Sequence, residues 1–411
     1  MDKENFDKLI NDIILNWDIT IKNNNKKYDF AELTLSSGLP GIILLLSELK
    51  DVSDRKKISE KIDEYLEYIV SKIGTFGLLT GSLYSGASGI ALSIYHLRNT
   101  MSRYSNLIES LNKYIDYYVR EKISKIDLEE ITPPDYDVIE GLSGVLSYLL
   151  MEDNSEYDEL KNLIVDFLSN LVSDRNNLII YVKSENQMSE AESDMYPLGC
   201  LNLGFAHGLA GVGSILAYAQ VKGFGNRLSR IAIKNIISIY EEFELTEEGE
   251  YLWKDGIVID ELREGKTLRK ASFVRDAWCY GSPGISLFYL YVGLIENNDY
   301  LINKSEKILQ SAMKRKLGVS SEMICHGNSG LIQICLLFRT LLGTSSFDFY
   351  IEHFKNEFEI FYQEYKESGD IGFLEGVSGS LLTYLDVSGA ENYTYWHRAL
   401  LIFDDFLQLK Q

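Results

Sequence analysis

A Gly-x-x-Gly tetrad followed by an apolar run of helical length recurs seven times in this chain. The tetrads are Gly38–Gly41, Gly86–Gly89, Gly141–Gly144, Gly208–Gly211, Gly281–Gly284, Gly327–Gly330 and Gly376–Gly379. One tetrad carries little information, because glycine is common; seven in phase specify a repeat architecture. The runs that follow, such as GIILLLSEL and GISLFYLYVGL, are almost wholly apolar, as suits a helix buried on all sides. Between tetrads lies a second kind of helix with one apolar stripe: Ile58, Ile62, Leu66 and Ile69 in one, Leu107, Leu111, Ile115 and Tyr118 in another, Leu160, Leu163, Phe167 and Leu171 in a third. Seven hairpins of this kind suit a closed ring, with inner helices in the core and outer helices facing water. The glycines let the chain turn tightly and let neighbouring backbones approach.

A basal unit of about 46–50 residues fits a helical hairpin. The intervals Gly141 to Gly208 and Gly208 to Gly281 exceed it by about twenty residues each, so extra structure is inserted there. These intervals contain the strand-like stretches Leu178–Val182, Tyr251–Trp253 and Gly256–Asp260. The expected organisation is an α-toroid of residues 1–173, 201–244 and 275–411, with a small β-containing extension of 174–200 and 245–274.

Sequence composition narrows the setting. No apolar run approaches the roughly 18 residues of a membrane span, and the Ile13–Leu15 stretch is too short for a secretory signal, so the expectation is a cytoplasmic protein. Forty basic against 61 acidic residues give a net charge of −21, which disfavours nucleic acid and suits either a cationic partner or a solubilising surface. The four cysteines, at 200, 279, 325 and 335, form no disulfide framework. Cys335 sits in an apolar run and reads as core, and Cys200 carries no signal of its own.

In a ring, every loop leading into an inner helix opens on the same pole. The residues just before the first glycines therefore converge: Ser37, Ser85, Glu140, His207, Cys279 with Tyr280, Cys325 with His326, and Glu375. Two of four cysteines and two of five histidines fall in these few places. Cys279, Cys325 and His326 form a soft donor set suited to one zinc ion per chain, and three protein ligands leave a fourth position open, as in catalytic sites. Zinc that already carries two thiolates is a poor activator of water but a good activator of a third thiol, so the donor set points to thiol alkylation. Asp137, Glu140, His207, Arg275 and Tyr280 are the acid–base candidates around it. The plainer readings are a helix cap for Asp137 and a surface charge for Arg275.

At these residues the chain resembles the class I lantibiotic cyclases. The likeness runs from Glu32-Leu-Thr-Leu-Ser through Trp278-Cys-Tyr-Gly-Ser-Pro-Gly284 and Ile324-Cys-His-Gly327 to Phe403-Asp-Asp-Phe406. The resemblance implies a double-layered α-toroid with an SH2-like extension. It also implies addition of cysteine thiols to dehydroalanine and dehydrobutyrine of a dehydrated precursor peptide (leader plus core), giving lanthionine and methyllanthionine rings. Matched residue by residue, Cys279, Cys325 and His326 correspond to zinc ligands, and His207, Arg275, Asp137 and Tyr280 to the residues around them. A lantibiotic dehydratase and an ABC exporter are implied as partners in a membrane-associated complex.

The chemistry itself assigns roles. Thiolate addition pushes charge onto a carbonyl oxygen, which Arg275 is suited to stabilise. The α-carbon then needs a proton, and His207 titrates in the right range. Asp137 either orients His207 or pairs with Arg275. Rival readings are a toroidal glycosidase using Glu140 and Glu375, a prenyltransferase-like enzyme, and a non-catalytic zinc-bearing scaffold that binds peptide or glutathione.

Overall fold

The computed structural model describes residues 3–24, 29–49, 55–99, 102–247, 250–267, 275–319, 321–368, 370–390 and 392–410. The seven tetrads start seven helices: Leu39–Glu48, Ala87–Ile94, Leu142–Leu149, Leu209–Val221, Ser282–Ile295, Asn328–Leu342 and Val377–Val387. In each, the first glycine is the N-cap residue. These helices pack side by side in chain order, and Val377–Val387 meets Leu39–Glu48 to close the ring. Most of their residues are buried, as largely apolar runs require, and the exceptions are most frequent in Asn328–Leu342, where Thr340 is exposed.

The outer layer is Lys3–Asn24, Arg55–Phe76, Ser102–Lys125, Asp158–Asn170, Arg227–Glu242, Asp299–Arg315 and Asp348–Ser368. The N-terminal helix completes it: Lys61 reaches Asp18 at 2.9 Å on one side, and Phe6 packs 6.5 Å from Tyr384 of the last inner helix on the other. The expected stripe Ile58, Ile62, Leu66 and Ile69 is buried. In the next two outer helices the buried line runs through Ile108, Leu111, Ile115 and Val119, and through Leu160, Ile164 and Leu168, while Leu107, Tyr118, Leu163 and Phe167 sit at its edge, half-buried.

The second glycine of each tetrad explains why the motif repeats. A Cβ on Gly144 would stand 2.1 Å from Val138 O of its own loop and 2.8 Å from Leu83 Cβ of the preceding repeat. Gly211, Gly284 and Gly330 meet the same two neighbours in their own repeats. Each inner helix therefore touches the loop before it and the loop of the previous hairpin at a distance that glycine alone permits.

The inserted intervals hold short antiparallel pairs, Leu201–Asn202 with Gly256–Ile257 and Leu245–Glu247 with Glu250–Leu252. Leu178–Val182 is not a strand: only Val182 bridges, to Cys200, while the amide of Tyr181 bonds to Leu178 O in a turn and that of Ile180 reaches back to Leu171 O at the end of the preceding outer helix. Gly256–Asp260 is a strand only at its start, because Ile259–Glu264 turns helical. The part of the expected extension at 268–274 lies outside the described residues.

The C-terminal tail enters the ring. The carbonyls of Arg398, Ala399, Leu400 and Leu401 accept hydrogen bonds from Ser147 Oγ, Tyr84 Oη, Trp278 Nε1 and Tyr291 Oη at 2.8–2.9 Å. Glu48 accepts from the amides of Tyr393 and Thr394. Trp396 is fully buried there against Phe373. None of the described helices is long and apolar enough to cross a membrane.

Candidate metal centre and proton network

The loops before the inner helices are joined by backbone hydrogen bonds into a closed cycle. Leu35 N bonds to Tyr84 O, Tyr84 N to Ile139 O, Val138 N to Ala206 O, and Ala206 N to Cys279 O. Cys279 N then bonds to Cys325 O, Cys325 N to Leu374 O, and Leu374 N to Ser36 O. This girdle brings together, at one pole, side chains that are far apart in sequence. Cys279 and Cys325 are directly linked in it, at 3.3 Å.

Cys279 is buried, and its thiol and that of Cys325 share a hydrogen bond. The bond from Cys325 holds the Cys279 thiol below its ordinary range against the effect of burial, with Arg275 and His207 adding to it; the Cys325 thiol is pushed well up in return. Cys325, His326 and Glu375 offer donor atoms that all lie within 4.8 Å of one another, and His326 Nδ1 is 4.0 Å from Glu375 Oε1. Burial holds the His326 imidazole below its ordinary value, with Glu375 opposing. Of the expected ligands, Cys279 stands beside Cys325 and outside this tight trio. Glu375 enters the trio although sequence reasoning left it out of the ligand set. The signal for it was its place immediately before the seventh tetrad, in register with His326 and Tyr280.

Next to the thiols is a proton network. His207 Nδ1 lies 2.6 Å from Asp137 Oδ2, while Asp137 Oδ1 accepts the amides of Glu140 and Gly141, each at 2.7 Å. Asp137 therefore both caps the turn into its inner helix and holds His207. Burial opposes charge on His207, and the Asp137 carboxylate more than offsets it, so the imidazole is held above its ordinary value. Tyr280 stacks at an angle on His207, with ring centroids 6.1 Å apart. Arg275 is half-buried, and its charge favours the thiolate of Cys279 and disfavours protonated His326.

The loop turn between Arg275 and Cys279 depends on Gly281. It has φ +88°, and a Cβ there would stand 1.6 Å from Arg275 O.

Glu140 is taken by two hydroxyls, Ser82 Oγ at 2.7 Å and Ser85 Oγ. Tyr84, also absent from the expected set, lies fully buried near both thiols. Cys335 is buried as expected, and burial pushes the Cys200 thiol up to about 12, which leaves it unreactive.

Residues 29–401 match the model of the lanthionine synthetase C-like protein family. The chain is 59% identical over 409 residues to the nisin biosynthesis protein NisC of Lactococcus lactis subsp. lactis, covering 99% of this chain and 98% of that one. The solved structure of a nisin cyclase superposes with a TM-score of 0.95 at 58% identity, covering 98% of this chain and 99% of that one.

Proposed function

The chain belongs to the lanthionine synthetase C-like family, and on that premise we propose that it is a zinc-dependent lanthipeptide cyclase. It closes thioether rings in lantibiotic biosynthesis by intramolecular addition of cysteine thiols to dehydroalanine or dehydrobutyrine of a dehydrated precursor peptide. The observation that carries this reading is the pairing of Cys279 and Cys325 with His326 at one pole, beside a His207–Asp137 couple. The division into a toroid and an extension of 174–200 and 245–274, and the partnership with a dehydratase and an exporter at the membrane, are parts of the same proposal.

The donor chemistry fits zinc. Two adjoining thiols and an imidazole are soft to borderline ligands, and the Cys279 thiol is already biased toward thiolate. Cys279, Cys325 and His326 would hold the ion, and Glu375, more than half exposed, would steady His326. When bound, zinc lowers the pKa of a substrate thiol while its thiolate ligands keep that sulfur nucleophilic.

The remaining steps fall to the chain's own residues. The sulfur bonds to the β-carbon, and the π pair of the C=C bond moves to the carbonyl oxygen. Arg275 supplies positive charge to that enolate. His207, charged through Asp137, delivers a proton to the α-carbon, replacing the one the thiol gave up.

The test is mass spectrometry after thiol alkylation of a dehydrated precursor, with and without the protein. Loss of alkylatable thiols at constant peptide mass is expected. Peptide binding with an unchanged thiol count would support the non-catalytic scaffold instead.

A further inference from the structure

Tyr280 is held at its hydroxyl by Asn202. Asn202 ends the short strand Leu201–Asn202, in register with Gly256. Its Nδ2 lies 3.0 Å from Tyr280 Oη, and its Oδ1 is 2.8 Å from the amide nitrogen of Gly204. The second contact settles the orientation of the side-chain amide, because a backbone N–H can only donate and must face the oxygen. The nitrogen then faces Tyr280 and can only donate in turn. Tyr280 Oη is therefore the acceptor of that bond, and its own hydrogen points elsewhere. Among the described residues no acceptor is in reach of it.

The ring is fixed as firmly as the hydroxyl. A Cβ on Gly204 would stand 2.7 Å from Tyr280 Cδ1, and one on Gly208 would stand 2.4 Å from Asn202 Oδ1. Two glycines thus clear the space in which Asn202 and Tyr280 meet. A tyrosine hydroxyl carries one hydrogen, so the group on offer at the pole, beside His207, is a single O–H whose oxygen is already held by Asn202.

We propose that Asn202 is a positioning residue of the cyclisation site, presenting Tyr280 as a hydrogen-bond donor to the carbonyl oxygen of the dehydroamino acid. This rests on the cyclase reading above. As the sulfur–carbon bond forms and the π pair moves to that oxygen, Tyr280 donates a hydrogen bond to the developing oxyanion and keeps its proton throughout. Arg275 supplies charge to the same atom, and His207 protonates the α-carbon.

The variant that isolates the claim is Asn202→Asp. It keeps the shape of the side chain and the bond from Gly204 N–H. Its second oxygen, however, accepts from Tyr280 and draws the hydroxyl's hydrogen back from the site. Loss of an aimed oxyanion donor typically costs about 10²–10³-fold in kcat. We expect a fall of about that size in ring closure of a dehydrated peptide bearing one cysteine and one dehydroalanine, with KM, zinc content and melting midpoint unchanged. Tyr280→Phe should match it, and Asn202→Asp combined with Tyr280→Phe should be no slower than Tyr280→Phe alone. Asn202→Ala, which unpins the hydroxyl without reversing it, should lose less and serves if the aspartate variant does not fold.

Parental kcat in Asn202→Asp or in Asn202→Ala, or losses that multiply in the double variant, would overturn the role of Asn202. A parental protein that closes no ring on this peptide overturns the cyclase reading and this inference together.

Discussion

At the scale of single residues, the site separates metal-holding groups from proton-moving groups. Cys279 and Cys325 share a thiol hydrogen bond, whereas Glu375 is more than half exposed and 4.0 Å from His326 Nδ1. Cys279→Ala and Cys325→Ala should therefore lose zinc, while Glu375→Gln should keep it. Metal content after dialysis against a mild chelator checks this, and full zinc in the double cysteine variant would sink the ligand assignment. His207 touches the network through Asp137, so His207→Asn should stay zinc-loaded and close rings about 10²–10⁴-fold more slowly, the usual cost of a lost proton donor. The pH dependence follows from the sign of its shift. A folded-state pKa raised by Asp137 keeps His207 charged past its ordinary value; the stabilisation from that pairing is fully present below the ordinary value and is lost, with the charge, as pH rises through the raised one. Asp137→Asn keeps an oxygen for the amides of Glu140 and Gly141 but removes the charge. It should move the alkaline limb of kcat toward lower pH, and an unmoved limb would show that Asp137 only caps its turn.

At the scale of elements, the glycines of the tetrads are packing devices, whereas Gly74 of an outer helix is not. In Gly144→Ala the new Cβ meets a carbonyl oxygen at 2.1 Å, which belongs to backbone already fixed in the loop girdle. The cost should reach at least about 3 kcal/mol, the upper end of ordinary overpacking. Gly74, in the outer helix Arg55–Phe76, has nothing within 4 Å of its Cβ position, so Gly74→Ala should stabilise by about 0.5–1 kcal/mol. Denaturant unfolding of both variants reads the opposite signs directly. The same contrast shows what a reader of the sequence can see. Tetrads in phase reveal the ring, and ring geometry alone predicts that residues before each first glycine meet. It cannot choose a partner for Asp137, because both answers use the same residue types at the same pole. Leu178–Val182 looked like a strand because it is apolar and β-branched, yet only Val182 pairs with another segment as a strand would. The tail carried no periodic signal, since its backbone is held by side chains scattered from Tyr84 to Tyr291.

At the scale of the whole molecule, ring closure and charge act together on how a substrate arrives. The inner helices close on themselves and the tail occupies the ring's interior, so a peptide reaches the thiols from the pole where the tetrad loops open. All seven inner helices begin there, and their N-termini place positive potential close to the reacting atoms, which favours thiolate and enolate. The protein as a whole carries −21. The far field therefore attracts cations, while the near field at the reacting atoms, reinforced by Arg275, favours anions. A core peptide bearing lysines beside its cysteine and dehydroamino acid matches both fields at once, and an acidic peptide matches only the inner one. Long-range attraction of this kind acts on the association rate and fades as salt shortens the Debye length from about 30 Å at 0.01 M to about 8 Å at 0.15 M. Stopped-flow association of a lysine-bearing dehydrated peptide should slow severalfold across that range, with dissociation little changed. A lysine-to-glutamine version of the same peptide should start slower and respond less. If both peptides give flat profiles, the acidic surface serves solubility alone, and recognition belongs entirely to contacts made at the pole.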